Sequence, residues 1–249
     1  MAPLIQANAL AQSFGARTIF RDVSFEVAEG EIFVILGGSG CGKSVLMRQI
    51  VGLQPPSSGH VAVFGQDIYA PASDVRSKIG VMFQSGALFG AMTLLENVML
   101  PLEMLSDLPP AARRAVAQVK LGLVGLTDAA GRMPAEISGG MAKRAAIARA
   151  MALDPPLLLL DEPSAGLDPI TSAGLDRLIL DLRHDLGITV VVVTHELASI
   201  LAIADRCIML DAAAAGVIAT GDPRKLAEDS DNPTVAAFFN RQTLAVAAR

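Results

Sequence analysis

The sequence lacks any uninterrupted apolar run long enough to cross a bilayer, although apolar residues make up 52% of its 249 positions. A membrane-spanning helix needs roughly 18–20 consecutive apolar residues. The first residues, Met1 to Gln6, contain neither a basic segment nor a long apolar stretch, so we expect no secretion signal. These absences favour a protein that folds in water and can still dock on an apolar partner.

Positive charge and cysteine are also scarce. The net charge is −5 and the isoelectric point is near 5.2, so we expect no basic surface and no nucleic acid partner. The two cysteines cannot build a disulfide framework, because Cys41 lies in a glycine-rich loop and Cys207 in an apolar run. Both suit a reducing cytosol. No internal repeat and no low-complexity linker divides the chain.

A glycine-rich loop, Gly37 to Ser44, has the form G-x-x-x-x-G-K-S. It follows the apolar run 32–36, which predicts a buried strand, and precedes residues 45–51, which predict a helix. This is the strand–loop–helix order of a phosphate-binding P-loop. Glycines let backbone N–H groups surround an anion, and a helix N-terminus attracts negative charge. Lys43 can reach the β- and γ-phosphates of a nucleotide, and the Ser44 hydroxyl can ligate Mg²⁺.

Carboxylates follow a second apolar run, Leu157 to Leu160. The run predicts a buried strand of a parallel sheet, and such sheets bind ligands at the carboxyl ends of their strands. Asp161 can hold Mg²⁺, and Glu162 can polarise an attacking water. A further predicted strand, residues 188–194, ends at His195, whose imidazole can reach a γ-phosphate. The alternatives are a purely structural turn for Asp161 and Glu162 and a purely structural histidine for His195.

Phe14 and Gln84 are two further candidates. Phe14 lies upstream of the P-loop and could stack under an adenine ring, or it could be a hairpin or core aromatic. Gln84 directly follows a predicted strand over residues 78–83.

Residues 85–150 read as a helical insert within the α/β domain. Thr93 with Glu96 resembles a capping box at the start of one of its helices. Near the end of the insert, Ile137 to Met141 precedes a predicted helix over residues 142–153.

Together these residues resemble the ATP-binding subunits of ABC transporters, over nearly the whole chain. The most specific feature is Ser138-Gly139-Gly140, which stands at the place of that family's signature loop. Met141 replaces the glutamine of the common Leu-Ser-Gly-Gly-Gln signature. With residues 83–89 and 168–171, this departure makes the chain similar to the Mla-type phospholipid-transport ATPases, which serve Mce-domain proteins.

The resemblance implies an α/β fold of the P-loop NTPase class, as in ABC nucleotide-binding domains. That fold has a RecA-like core, an N-terminal antiparallel β subdomain and a helical subdomain, here about 85–150. The resemblance further implies that residues 1–249 form one ABC ATP-binding domain with a C-terminal tail of about 232–249.

The resemblance also implies site residues, with ATP and Mg²⁺ as cofactors. The implied catalytic residues are Glu162 as general base, His195 as switch histidine and Gln84. The implied ATP-binding residues are Phe14, Gly37, Gly38, Ser39, Gly40, Cys41, Gly42, Lys43, Ser44, Val45, Ser138, Gly139 and Gly140. The implied Mg²⁺ ligands are Ser44, Gln84 and Asp161.

The implied partners are a second copy of the chain in an ATP-sandwich homodimer, an integral-membrane permease, an Mce-domain lipid-binding protein and a small STAS-domain subunit. We expect the permease to dock on the surface from Gln84 to Leu102, through an exposed subset of Leu88, Phe89, Met92, Leu94 and Leu95.

The implied location is peripheral, at the cytoplasmic face of the inner membrane. The expected function is ATP hydrolysis that moves phospholipids between the inner and outer membranes. The alternative is an ABC importer for amino acids or metal ions, which shares every catalytic motif.

Overall fold

The structure is a computed structural model that describes residues 3–71 and 74–241. These residues form two compact units. The first unit contains the described residues up to Pro71 and those from Val193 onward, and the second contains the described residues between them. Within the described ranges, no helix is both long enough and apolar enough to span a membrane. The assignment of residues 1–249 to a single domain stays a prediction.

Strands and helices alternate along much of the chain, which is the order of an α/β fold. The strands are β1 (Ile5–Phe14), β2 (Arg17–Val27), β3 (Ile32–Gly37), β4 (Ser58–Val63), β5 (Gln66–Asp67), β6 (Ile79–Met82), β7 (Leu157–Asp161), β8 (Thr189–Val193), β9 (Arg206–Asp211) and β10 (Gly216–Gly221). The helices are α1 (Lys43–Ile50), α2 (Leu94–Leu105), α3 (Pro110–Leu123), α4 (Gly139–Ala150), α5 (Pro169–Leu186), α6 (Leu197–Ile203), α7 (Pro223–Asp229) and α8 (Pro233–Phe239). Short 3₁₀ helices lie at Val75–Lys78, Thr127–Ala129 and Pro134–Glu136.

The first unit contains a sheet in which the strands follow the order β2-β1-β4-β5. All of its pairings are antiparallel, and Ile5 of β1 lies opposite Val27 on one side and Val63 on the other. A tight turn joins β1 to β2, where Phe14 pairs with Arg17. The expected N-terminal antiparallel β region is therefore confirmed.

The strand before the glycine-rich loop, β3, is buried along its whole length. It pairs in parallel with β9, which pairs antiparallel with β10. A continuous apolar run without alternation is typical of a strand that is covered on both faces. The N–H of Thr194, directly after β8, donates to the carbonyl oxygen of Ile35 in β3 (3.2 Å). The segment that follows β8 therefore starts beside the carboxyl end of β3.

In the second unit, β6 and β7 lie side by side in parallel. Ile79 is opposite Leu157, and Met82 is opposite Leu160. All of β7 is buried, as its run of leucines predicts. Parallel strands place their carboxyl ends at the same edge of a sheet. The loops that follow β6 and β7 therefore leave the sheet on the same side.

The segment 85–150 contains α2, α3 and α4. The capping box at the start of α2 is confirmed, because the Thr93 hydroxyl accepts from the N–H of Glu96 and the Glu96 carboxylate accepts from the N–H of Thr93. The buried Asn97 amide accepts from the N–H of Phe89 (2.8 Å) and donates to its carbonyl oxygen (3.1 Å). These bonds tie the loop before α2 to the helix.

The expected apolar surface over residues 84–102 is partly buried. Leu94 and Leu95 have exposed fractions of 0% and 6%, because α2 packs against α3 and α4. Their inclusion in an exposed patch is therefore excluded. Phe89 keeps an exposed fraction of 52% and Phe83 one of 36%.

The start of α4 also differs from the sequence-based expectation. The helix predicted from Ala142 begins earlier, at Gly139, because Ser138 caps its N-terminus. In the predicted tail, α8 packs against α7 and buries Phe239. Residues 242–249 of the predicted tail lie outside the described residues.

Candidate nucleotide-binding site

The glycine-rich loop connects β3 to α1, so the predicted strand–loop–helix order is confirmed. The Lys43 ammonium donates to the carbonyl oxygens of Gly37 (2.8 Å) and Gly38 (3.0 Å). The middle of the loop, residues 38–40, is exposed. These bonds hold a positive charge over an exposed stretch of backbone.

Two glycines of the loop stand where a side chain would not fit. At Gly37, with φ +147°, an added Cβ would lie 2.2 Å from the carbonyl oxygen of Leu210. At Gly42, with φ +101°, it would lie 2.7 Å from Cγ2 of Ile19. Glycine adopts such backbone conformations without a steric penalty. The neighbouring strands therefore require glycine at both ends of the loop.

The N-terminus of α1 is available to an anion. Among the residues that the structure describes, none caps this helix end with a side-chain hydrogen bond. The first N–H groups of a helix lack partners within the helix and carry the positive end of its dipole. Ser44 and Val45 lie in this first turn and are half-buried. This geometry fits a phosphate group.

Cys41 is a buried residue within the loop. Burial raises the pKa of its thiol, and the nearby Lys43 ammonium opposes this effect only in part. A thiol with a raised pKa stays protonated at neutral pH and is a poor nucleophile. Cys41 therefore contributes packing and a backbone N–H group to the loop.

Phe14 and His195 are exposed side chains of the same unit. Phe14 ends β1 with an exposed fraction of 52%, which excludes the alternative that it is a core aromatic. An exposed ring face can stack on a base. His195 follows Thr194, whose N–H bonds to Ile35, so its backbone lies at the sheet edge from which the P-loop leaves.

In the second unit, Asp161 ends β7 and Glu162 follows it directly. Both residues have an exposed fraction of 7%. Glu162 has a φ of +49°, a left-handed conformation that is uncommon for residues other than glycine. Backbone strain of this kind persists only where surrounding contacts enforce it, and it concentrates at functional sites.

Lys143 of α4 connects the loop after β6 to the residue after β7. Its Nζ donates to the carbonyl oxygens of Gln84 (2.5 Å) and Glu162 (3.1 Å). Burial lowers the pKa of the Lys143 ammonium, while the carboxylates of Glu162 and Asp161 oppose this shift. The sequence-based reasoning missed Lys143. The one feature of the sequence that could have indicated it was a positively charged residue on the predicted helix after the signature loop.

The signature loop forms the start of α4. The Ser138 hydroxyl accepts from the N–H of Met141 (3.3 Å) and so caps the helix. Ser138 and Gly139 are exposed, whereas Gly140 is buried. The exposed helix start carries partial positive charge, as at α1.

Gly140 is buried because the start of α5 lies against it. An added Cβ at Gly140 would lie 2.4 Å from Cγ2 of Thr171. The Thr171 hydroxyl donates to the Asp168 carboxylate (2.5 Å), and this bond lowers the pKa of Asp168. The signature helix and the turn at Ser164 to Asp168, which leads into α5, are thus held in close contact.

We expect Gly140→Ala to lower the melting temperature, because the new methyl group would overlap Thr171. Overpacking a tight contact costs about 1–3 kcal/mol. For a chain of this length, that cost lowers Tm by roughly 2–12 °C. Thermal unfolding followed by circular dichroism measures the effect.

Gly139→Ala is the matched control, since its Cβ would lie 3.7 Å from Leu167, an ordinary contact. We expect its Tm to stay at the parental value. Adding Thr171→Ser to Gly140→Ala removes the overlapping methyl group, keeps the hydroxyl and should restore Tm. An unchanged Tm for Gly140→Ala would contradict the packing described here.

The candidate residues divide between the two units. The first unit contains Phe14, the loop residues 37–45 and His195. The second unit contains Gln84, the signature residues 138–140, Asp161 and Glu162. In each unit these residues lie at the ends of strands or helices. The first unit contains the glycine-rich loop, and the second contains the two carboxylates and the signature loop.

A family model described as "ABC transporter" matches residues 20–165. The Escherichia coli K12 protein named "Intermembrane phospholipid transport system ATP-binding protein MlaF" is 40% identical over 244 residues, which cover 96% of this chain and 90% of that protein. The Mycobacterium tuberculosis protein named "Probable ribonucleotide transport ATP-binding protein mkl" is 39% identical over 244 residues, which cover 96% of this chain and 67% of that protein.

Two solved structures are similar to most of this chain. One is the ATP-binding cassette MJ0796 in a dimeric post-hydrolysis state bound to ADP and Pi, with a TM-score of 0.78 and 31% identity over 88% of this chain and 98% of that chain. The other is cbiO1 from Clostridium perfringens, described as part of the ABC transporter complex cbiONQ. Its TM-score is 0.83, with 28% identity over 92% of each chain.

Proposed function

This chain belongs to the ABC transporter family as an ATP-binding subunit, and we propose that its ATP hydrolysis drives the transport of phospholipids between two membranes. It is an ATPase of the ABC type. One observation carries the choice of phospholipid as cargo. It is the 40% identity to MlaF, which extends over 96% of this chain and 90% of that protein.

Ribonucleotides are the second candidate cargo, because mkl is named for their transport and is 39% identical. The match covers 67% of mkl and 90% of MlaF, so this chain corresponds more completely to the phospholipid relative. Amino acids and metal ions are the alternative that the sequence leaves open.

In the proposed nucleotide site, Phe14 stacks on the adenine ring and residues 37–45 surround the phosphates. Lys43 neutralises charge on the β- and γ-phosphates, where negative charge develops during transfer. Glu162 accepts a proton from the attacking water as general base. His195 contacts the γ-phosphate. The exposed Phe14 ring, the open start of α1 and the position of Lys43 support these roles.

Mg²⁺ is the proposed metal ion. The proposed ligands are the hydroxyl of Ser44, the carboxylate of Asp161 and the amide oxygen of Gln84, which are oxygen donors of the type that Mg²⁺ prefers. When bound, the ion neutralises charge on the β- and γ-phosphates. The three residues would hold it in that position.

A second copy of the chain is proposed to complete each site. Ser138, Gly139 and Gly140 of that copy would face the γ-phosphate with the exposed start of α4. The dimeric state of MJ0796 bound to ADP and Pi supports this arrangement. Hydrolysis would then remove the contact that holds the dimer closed.

An integral-membrane permease is the proposed partner on the surface over residues 84–102. Phe89 is exposed there, and Leu88 and Met92 are half-buried, so a short helix could seat on these apolar groups. We further propose an Mce-domain lipid-binding protein and a small STAS-domain subunit as partners. The chain would act as a peripheral subunit at the cytoplasmic face of the inner membrane.

Reconstitution tests the cargo. The chain is purified from its native membrane with the permease that accompanies it, and is placed in proteoliposomes with an Mce-domain protein and labelled phospholipid. We expect the phospholipid to move with ATP and to stay in place with a non-hydrolysable ATP analogue. Labelled ribonucleotide, amino acid and metal ion are offered in parallel.

Glu162→Gln in the same transporter is the control, because it keeps the assembly and removes the proposed base. We expect no transport from it. Movement of any of the other three cargoes without phospholipid would overturn the proposed cargo. In cells, loss of this chain should disturb the phospholipid distribution of the envelope and increase sensitivity to detergent.

A further inference from the structure

We propose that Lys143 is a positioning residue for ATP hydrolysis, which holds the backbone of Glu162 and the loop of Gln84 in one fixed arrangement. The inference rests on the ATPase part of the proposed function and is independent of the cargo. Lys143 itself touches main-chain carbonyl groups of these two residues. It therefore acts through them.

Lys143 suits this task because one ammonium group has three donors. Two of them are directed at carbonyl oxygens that lie 59 and 19 residues away in sequence, those of Gln84 and Glu162. Lys143 is half-buried within α4, so the helix fixes the point from which the side chain starts. A single substitution can therefore remove both connections.

Glu162 is the residue at which such a connection has most effect. Its φ of +49° is strained for a side chain with a Cβ, and strain of this kind needs surrounding contacts to hold it. The Glu162 carbonyl accepts from Lys143 and, at 3.3 Å, from the N–H of Ala165. A bond to this carbonyl restrains the ψ torsion of Glu162. It therefore helps to hold the residue whose side chain carries the carboxylate.

A second cation of α4 provides an internal comparison. The Arg149 guanidinium donates to the carbonyl oxygens of Gly86 (2.8 Å) and Ala87 (2.7 Å). Arg149 thus holds the same loop as Lys143, through carbonyl groups other than those of Gln84 and Glu162. If Lys143 merely fastened the loop, removal of either cation would have the same consequence. If Lys143 positions Glu162, only its own removal should slow the chemical step.

The proposed arrangement also gives a route from the permease to the base. Gln84 begins the surface over residues 84–102 on which the permease is proposed to dock. A displacement of the loop at Gln84 would pull on Lys143 and so on the carbonyl of Glu162. Lys143 would then make the hydrolysis rate sensitive to the state of the permease.

The test compares Lys143→Met, Lys143→Arg and Arg149→Met in the reconstituted transporter, by measuring kcat and KM for ATP. Misplacement of a catalytic group by about 1 Å can cost about 10²-fold in rate. We expect Lys143→Met to lower kcat by roughly 10- to 100-fold and to change KM little. Lys143→Arg should recover most of kcat, because a guanidinium can also serve two carbonyls. Arg149→Met should lower kcat much less than Lys143→Met.

Lys143→Gln is the second removal variant in case methionine disturbs folding, and thermal unfolding and ATP binding are measured for every variant. A parental kcat in Lys143→Met or Lys143→Gln would overturn the inference. So would an equal loss in Arg149→Met, or no recovery in Lys143→Arg. If the parental transporter hydrolyses ATP without moving phospholipid, the proposed cargo fails while this comparison still decides the role of Lys143.

Discussion

Lys43→Ala is expected to abolish ATP hydrolysis and to weaken ATP binding by about 10- to 150-fold. Lys43 is the positive charge of the loop, where it donates to the carbonyl oxygens of Gly37 and Gly38. A hydrogen bond to a charged group contributes roughly 1.5–3 kcal/mol, which corresponds to that range of affinity. Turnover should fall further than affinity, because charge on the transferred phosphoryl group increases in the transition state.

Fluorescent nucleotide titration measures the affinity, and phosphate release from the reconstituted transporter measures turnover. Lys225→Ala is the matched control, since Lys225 is an exposed lysine of α7. It removes the same charge from another helix of the same unit and should leave both quantities unchanged. Parental ATPase activity in Lys43→Ala would remove Lys43 from the nucleotide site.

Glu162→Gln is expected to retain ATP binding and to lose about 10²- to 10⁴-fold in kcat. A general base contributes an effect of this size, and an amide of the same shape cannot accept the proton of the attacking water. Because ATP would bind without being consumed, the variant should accumulate as a closed dimer. Size-exclusion chromatography with ATP detects that dimer, and phosphate release measures kcat.

Glu228→Gln makes the same chemical change on the exposed side of α7 and should behave like the parent. If Glu162→Gln hydrolysed ATP at the parental rate, another group would be the base and Glu162 would have only a structural role. A variant that lost hydrolysis but never dimerised with ATP would contradict the shared site instead. The two readouts therefore test the base and the dimer separately.

The P-loop could be predicted from sequence because its structure depends on neighbouring residues. An apolar run, a glycine-rich stretch and a helix-forming segment specify β3, the loop and α1 in that order. The capping box of Thr93 and Glu96 is equally local, and the structure confirms it. The strand that ends in Asp161 was predictable for the same reason, since four leucines before two carboxylates fit a buried strand that opens at a sheet edge.

Sequence alone did not settle the surroundings of these residues. It left Phe14 between a stacking position and a hairpin or core position. The structure excludes the core position, because the ring is exposed beside the turn between β1 and β2. It left open which of five apolar residues over positions 84–102 are exposed, and the packing of α2 buries Leu94 and Leu95. It predicted α4 to begin at Ala142, because the two residues after the Ser138 cap are glycines, which have low helix propensity.

The sequence by itself indicated the family, the glycine-rich loop between a strand and a helix, and the two carboxylates after a buried strand. The loop and the carboxylates are each encoded by residues within a few positions of one another. Only the tertiary structure decided which distant groups hold them. The bonds of Lys143 to Gln84 and Glu162 join segments 59 and 19 residues apart, and the contact of Gly140 with Thr171 joins two helices. Local patterns specify conformation, whereas contacts between distant segments exist only after the strands and helices have packed, so no short pattern in the sequence contains them.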